Sequence, residues 1–174
     1  MRFIISLIFA LVSTVAHADL VQLPPLNMDA CKQLLPYGVP THAFKYYTTI
    51  CRHAYVLDYS LVNRTPIWVA YILRPEYTVG CLKRAGSFTV DRSLMKMHRS
   101  SPEDYAGSGY DMGHMVGVGD MSWDELVMQE TYIMTNITPQ LPGFNRGIWK
   151  QLEDQTRAWA QERRHELLIY LGTV

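Results

Sequence analysis

Hydrophobic spacing along this chain changes from a period of two to a helical period. In AYVLDYSLVNRTPIWVAYILR, residues 54–74, Tyr55, Leu57 and Tyr59 alternate with Val56 and Asp58. Asn63-Arg64-Thr65-Pro66 interrupts the run, and residues 67–73 resume it with β-branched and aromatic side chains. That pattern predicts two strands around a turn. YTVGCLKRAGSFTVD, residues 77–91, reads as a further strand and loop, and residues 92–109 as polar irregular chain. Within the latter, Ser100-Ser101-Pro102-Glu103 is a candidate helix start. Ser122 followed by Glu125 has the form of a capping box opening a second helix. The clearest helix is NRGIWKQLEDQTRAWAQERR, residues 145–164, where Ile148, Leu152, Ala158 and Trp159 share an apolar stripe. Residues 167–174 read as an apolar buried strand. Strands first, then helices, then a final strand predict an α+β fold with a mostly antiparallel central sheet and flanking helices.

The two ends read differently from the middle. Residues 1–18 carry one cation, Arg2, then an apolar run, then Ala16-His17-Ala18. This is the form of a secretory signal peptide cut before Asp19, too short to span a membrane comfortably. It predicts a periplasmic or secreted protein with no membrane association after cleavage. The mature chain, residues 19–174, has the size of a single domain, with residues 19–50 an irregular, Pro-containing extension tied down by Cys31. The C-terminal strand ends without a polar tail, which reads as a truncated chain.

Charge narrows the function. Without Arg2, the 16 Lys and Arg become 15, against 16 Asp and Glu. A protein that holds nucleic acid permanently is usually basic overall, whereas an enzyme that releases a polyanion needs only a local basic patch. Such a patch is present: Lys83, Arg84, Arg92, Lys96 and Arg99, opposed between 83 and 99 only by Asp91. The three cysteines, Cys31, Cys51 and Cys81, allow one disulfide and leave its pairing open. No CxxC or Cys/His spacing suggests structural zinc, and His165-Glu166 lacks the second histidine of a zinc peptidase.

The candidate chemistry sits in GYDMGHMVGVGDMSW, residues 109–123, which places His114 among glycines and two aspartates. Alone, it is a turn with a surface histidine. It is followed by TNITPQ with Asn136, and by an Asn145…Trp149…Glu153 segment. Glu153 lies eight residues after Asn145, about 12 Å of helical rise, so it reaches the same ion only through water. In order and spacing, DYAGSGYDMGH, ETYIMTNITPQ and NRGIWKQLE resemble the DNA/RNA non-specific endonucleases, the group of the secreted bacterial nucleases and mitochondrial endonuclease G. The resemblance runs from about Tyr55 to Val174 and is densest from Asp104 to Glu153.

The resemblance implies a ββα-metal (His-Me finger) site and hydrolysis of phosphodiesters in DNA and RNA with one magnesium ion, manganese substituting. It makes His114 the general base, Asn145 the metal ligand and Glu153 the support of the metal's water shell. Arg84, before Phe88 and Asp91, becomes the phosphate contact. Arg146 and Asn136 join the substrate-binding set, Asn136 also as support for the histidine loop. The chemistry suits these groups. A neutral imidazole takes a water's proton near pH 7. A neutral amide oxygen leaves a hard cation strongly charged. An arginine forks onto phosphate. An unperturbed His114 predicts activity rising with pH near 6.5. Three departures stand out: Met112 where the family has arginine, Gly117 where it has proline, and the end at Val174. They motivate the alternative of a weak or inactive nucleic-acid-binding relative. A disulfide-stapled structural protein is the third reading, with neither metal nor DNA affinity.

Overall fold

The computed structural model describes residues 28–80, 82–84 and 86–173. The signal peptide, Cys81 and Val174 lie outside the described residues. In chain order the elements are helix α1 (Met28–Cys31), strands β1 (Tyr47–Cys51), β2 (Tyr55–Ser60), β3 (Thr65–Leu73) and β4 (Asp111–His114), helix α2 (Glu125–Glu130), strand β5 (Ile137–Gln140), helix α3 (Lys150–Arg163) and strand β6 (Leu167–Gly172). One sheet has the order β1-β2-β3-β6, antiparallel throughout, and β4 and β5 form a separate antiparallel ribbon. This is the expected α+β architecture.

The expected β2–β3 pair is present, with the turn at residues 61–64 and Thr65 and Pro66 already in β3. Arg64 takes the left-handed conformation that closes the turn (φ 57°). A register shift between Asp58 and Tyr59 accompanies the pairing of Pro66. One sheet face packs Tyr55, Leu57, Val69, Tyr71 and Leu73 against Met115, Val116, Met121 and Ala160. The other packs Val56, Trp68 and Ala70 against Cys31 and Leu34. The alternation in β2 therefore does not mark a solvent face, since every residue of the strand is buried. Asp58 is buried too, and accepts from Thr49 Oγ1 (2.6 Å) and Trp68 Nε1 (2.9 Å), with His42 Nε2 3.0 Å away. Those bonds offset the desolvation of its carboxylate.

From Met28 on, the N-terminal extension covers one face of the sheet, with Cys31 and Leu34 in the core. Its last residues, 47–50, belong to β1, and the Cys31–Cys51 disulfide (Cα–Cα 5.8 Å) fastens it to the sheet. Among the described residues of 77–91 there is the end of a 3₁₀ turn (Pro75–Val79), then loop with one bridge from Thr89 to Ile133, and no strand. The 3₁₀ turn at Pro102–Tyr105 starts where expected, with Asp104 accepting from Ser101 N–H. The cap of α2 is Asp124, which accepts from Val127 N–H, because the Ser122 hydroxyl donates to the Gly119 carbonyl. Strand β6 is only half-buried, because it is the edge strand beyond β3.

The expected apolar stripe faces outward: Leu152 and Trp159 on α3 are 43% and 40% exposed, and Ile148, in the turn before it, is 60% exposed. Glu153, Thr156, Arg157 and Ala160, spaced three and four apart, turn inward instead. A helix normally buries its apolar face. Here the inward face carries the side chains of the site.

Candidate active site

His114 ends β4, and the β4–β5 register sets it opposite Ile137. Met112 and His114 share one face of the ribbon by the strand period. Three contacts set the ring and its backbone. Phe88 and Tyr132 flank the imidazole at 5.3 Å each, Tyr132 edge-on. Trp149 Nε1 donates to the His114 carbonyl (3.1 Å), tying the start of α3 to β4. The residue is 7% exposed and lines the cleft, and its Nε2 is enclosed without a hydrogen-bond partner among the described residues. Burial first, and the Arg84 charge second, lower its pKa from 6.5 to about 3. The imidazole is therefore neutral well below pH 6.5, and the expectation of an ordinary titration there is corrected.

Asn136 holds the loop after His114. It is fully buried; its Oδ1 accepts from Val116 N–H (2.9 Å), and its amide donates to the Val116 and Thr131 carbonyls (3.0 and 2.9 Å). With its donors and acceptor spent on backbone, Asn136 is a clamp, and its place in the substrate-binding set is corrected.

Asn145 and Arg146 lie on the π-type turn Phe144–Trp149 that opens into α3, broken at Gly147 (φ −104°, ψ −107°). Both reach back to Asp111. Asn145 donates through Nδ2 (3.0 Å), and Arg146 forks onto the carboxylate through Nε and Nη2 (2.8 and 2.6 Å). Those bonds, the arginine's first, hold the Asp111 carboxyl below its usual range. With its nitrogen on Asp111, the amide of Asn145 has its oxygen left for a cation. Arg146 lines the cleft with its guanidinium already engaged, so a phosphate there competes with Asp111.

Glu153 faces the loop after His114. Burial first, then the negative Asp120, raise its pKa from 4.5 to about 7, with Arg157 and Arg84 opposing. Asp120 is itself buried and accepts from Tyr71 (2.6 Å) and Arg157 (2.6 Å). Arg157 also bonds Asp154, which Lys150 bonds in turn. Arg84 is exposed and has no carboxylate partner among the described residues. Asp91, which seemed to oppose the basic run, is buried on Arg52 and accepts from Thr135 and Ser93.

Arg84, Met112, His114, Asn145, Arg146 and Glu153 line a single open cleft of about 390 Å³. Five of the six expected site residues thus meet, with Asn136 behind them. Sequence reasoning missed Asp111, Asp120 and Arg157 as the groups that orient the others. Asp111 and Asp120 stand near His114 in sequence but their partners do not, and the local signal for Arg157 is its helical spacing from Asp154. The donor set suits a hard divalent cation: an available amide oxygen, and a half-buried carboxylate only partly neutralised by nearby arginines. Among the described residues no group of three or more His, Cys, Asp or Glu forms a metal cage, so such an ion keeps mostly water ligands.

Comparison with known proteins identifies the family. The family model described as DNA/RNA non-specific endonuclease matches residues 33–174. Human mitochondrial endonuclease G is 35% identical over 127 residues, 72% of this chain and 41% of that protein. The mitochondrial nuclease EXOG of Xenopus laevis is 36% identical over 136 residues, 76% of this chain and 36% of that protein. A chain in the crystal structure of the EndoG/EndoGI complex superposes with a TM-score of 0.70 at 32% identity, covering 76% of this chain and 54% of that one. The chain thus spans less than half the length of those two nucleases. On the extent of the family match and the level of identity, the chain belongs to the DNA/RNA non-specific endonuclease family.

Proposed function

We propose that this chain hydrolyses phosphodiester bonds within DNA and RNA, using His114 as general base and one divalent cation, magnesium or in its place manganese. The observation that carries the reading is a neutral His114 on one side of a cleft, with Asn145, Glu153 and Arg84 around it. The neutral imidazole takes a proton from the attacking water. Arg84 offers a guanidinium to the phosphate. Asn145 Oδ1, and Glu153 through water, would hold the cation, which when bound neutralises charge on the phosphate and the departing 3′ oxygen. Asp111 keeps the Asn145 amide turned the right way, and the Arg157–Asp120–Tyr71 chain braces the floor beneath Glu153. Contacts directed at phosphate and not at base edges make the enzyme indifferent to sequence.

The mature protein is expected to cut plasmid and RNA with magnesium and to cut neither in excess EDTA. His114→Ala is expected to lose at least ~100-fold in rate while still binding an oligonucleotide. Undiminished cutting in EDTA, or near-native turnover by His114→Ala, overturns the mechanism. The same reading makes residues 1–18 an export leader and places the enzyme in the periplasm or outside the cell. The leader pattern and the Cys31–Cys51 disulfide support this. A native N-terminus at Met1 instead of Asp19 would overturn it.

A further inference from the structure

The turn that leads into β4 holds an aromatic side chain out of the core. Gly107 and Gly109 take positive φ (71° and 82°), so the backbone itself calls for glycine there. The turn delivers Tyr110, whose N–H donates to Ser108 Oγ (3.1 Å) and whose side chain is 49% exposed. Tyr110 lines a second cavity of about 810 Å³, larger than the cleft at His114, together with Phe44, Tyr105 and Arg64 of the β2–β3 turn. Tyr37 and Tyr46 are more exposed but do not line it. The cavity adjoins the cleft. Met112 lines the cleft and stands opposite Pro139 in the ribbon register, and Pro139 lines the second cavity. Directly opposed residues put their side chains on one face of a sheet, so the two spaces meet over the Met112–Pro139 pair. Tyr110 lies four residues before His114, no more than ~14 Å of extended chain. The charge of the two spaces differs. Among the described residues lining the second cavity Arg64 is the one cation, and it is paired with Asp104 (3.6 Å) and donates to the Arg99 carbonyl (3.1 Å).

We propose that this cavity is a base-binding subsite for single-stranded nucleic acid: a strand whose phosphate lies in the cleft lays an unpaired base on Tyr110. The inference rests on the proposed nuclease reading and narrows its substrate, since an unpaired strand gains a contact that a duplex lacks. Bases in a duplex are already paired and stacked, whereas those of a single strand can splay out onto an aromatic ring. Every base has a face to stack, so a tyrosine platform tolerates any sequence, as phosphate contacts in the cleft do. A neutralised Arg64 beside aromatic rings suits an uncharged base better than a second phosphate. The left-handed turn and the Ser108 bond fix the Tyr110 backbone before any strand arrives, which lowers the ordering cost of binding.

The test is Tyr110→Ala in the full mature chain, read by fluorescence anisotropy in EDTA. The probes are labelled oligothymidylates of increasing length and a blunt duplex as long as the longest of them. The native protein should bind oligothymidylate more tightly as it lengthens beyond a dinucleotide. Tyr110→Ala should lose about ten-fold on the longer strands, the scale of one base–aromatic stack, and little on the duplex. Tyr110→Phe keeps the ring and should keep the native affinity. The unfolding temperature of both variants should be unchanged, because the side chain is half-exposed and outside the core. Native affinity of Tyr110→Ala for the longer strands, an equal loss on strand and duplex, or a native affinity that does not rise with length overturns the inference. Plasmid and RNA cutting by the native protein with magnesium then shows that the nuclease reading survives. Native strand binding by a Tyr110→Ala protein that turns from dimer to monomer in light scattering gives the cavity to a second copy of the chain, and also overturns it. A native protein that binds neither probe and cuts nothing overturns the nuclease reading, and the subsite with it.

Discussion

Neutral His114 makes stability fall with acid in a defined window. In the folded chain burial, with Arg84 adding to it, holds the imidazole at about 3, against an ordinary 6.5. Unfolding releases the ring to water, where it charges below about pH 6.5. Between those two values the unfolded chain binds a proton that the folded chain refuses. The stability tied to the neutral ring is therefore fully present above about pH 6.5, is lost as the pH falls below that, and stops falling below about pH 3. One proton gives a slope of about 1.4 kcal/mol per pH unit, or about 2.7 kcal/mol between pH 6.5 and 4.5. His114→Phe removes the titration and keeps a ring between Phe88 and Tyr132. Near pH 8 the variant should be at least as stable as the native protein, because it no longer encloses an unpartnered nitrogen. Urea unfolding of both proteins from about pH 8 to pH 4.5 should show the variant's advantage growing by about 2.7 kcal/mol. Carboxylates titrate in both proteins and largely cancel in the difference. Parallel stability curves would refute the reasoning, since His114 would then charge in the folded state like an exposed histidine. The base itself should stay neutral throughout this range, so any loss of hydrolysis near pH 6.5 must come from another group.

The other predictions concern positions away from the base. Arg52→Ala should cost about 3–5 kcal/mol in urea unfolding, because it leaves the buried Asp91 carboxylate without its counter-charge; a loss under about 1 kcal/mol would mean that Thr135 and Ser93 suffice. Met112→Arg should raise kcat/KM on DNA by about ten-fold and steepen its salt dependence, since Met112 lines the cleft on the His114 face of the ribbon. An unchanged or lower kcat/KM with a depressed unfolding temperature would show that position 112 serves packing.

Much of the fold is legible where local pattern and tertiary context agree. Residues 67–73 are β-branched and aromatic, and β3 is buried along nearly its whole length at the centre of the sheet. Where they disagree, the pattern misleads. Asp58 in β2 looks like a solvent position because nothing local announces that residues 28–46 will cover that face. Ile148, Leu152 and Trp159 look like the buried stripe of α3 because apolar spacing cannot register that Glu153 and Arg157 have work inside the cleft. Ser122 has the form of a cap, yet Asp124 takes that place once the Ser122 hydroxyl is drawn to Gly119. The site shows the same division. His114, Asn145 and Glu153 belong to short ordered segments and are found by them. The Asp111–Asn145 bond spans 34 residues and the Asp120–Arg157 bond spans 37, so neither leaves a local trace.

The electrostatics of the cleft connect this architecture to the chain's zero formal charge. Four cations line the cleft, Arg84, Arg146, Lys150 and Arg157, and three of them are bonded to Asp111, Asp154 or Asp120. Each pair is worth little to stability where it is exposed. Its larger effect is on the field. Arg84 is the cation without such a partner, and its charge acts on both His114 and Glu153. In the proposed mechanism, the guanidinium assigned to the phosphate therefore also disfavours protonation of His114 and favours ionisation of Glu153. On that proposal, a phosphate arriving at Arg84 would reduce that influence on both groups and make proton uptake by His114 easier at the moment the water must give one up. A cleft crowded with unpaired arginines would hold the cut polyanion as firmly as the uncut one. If the chain acts as proposed, pairing the others and leaving Arg84 without a carboxylate partner among the described residues would concentrate the attraction at one phosphate and let product leave.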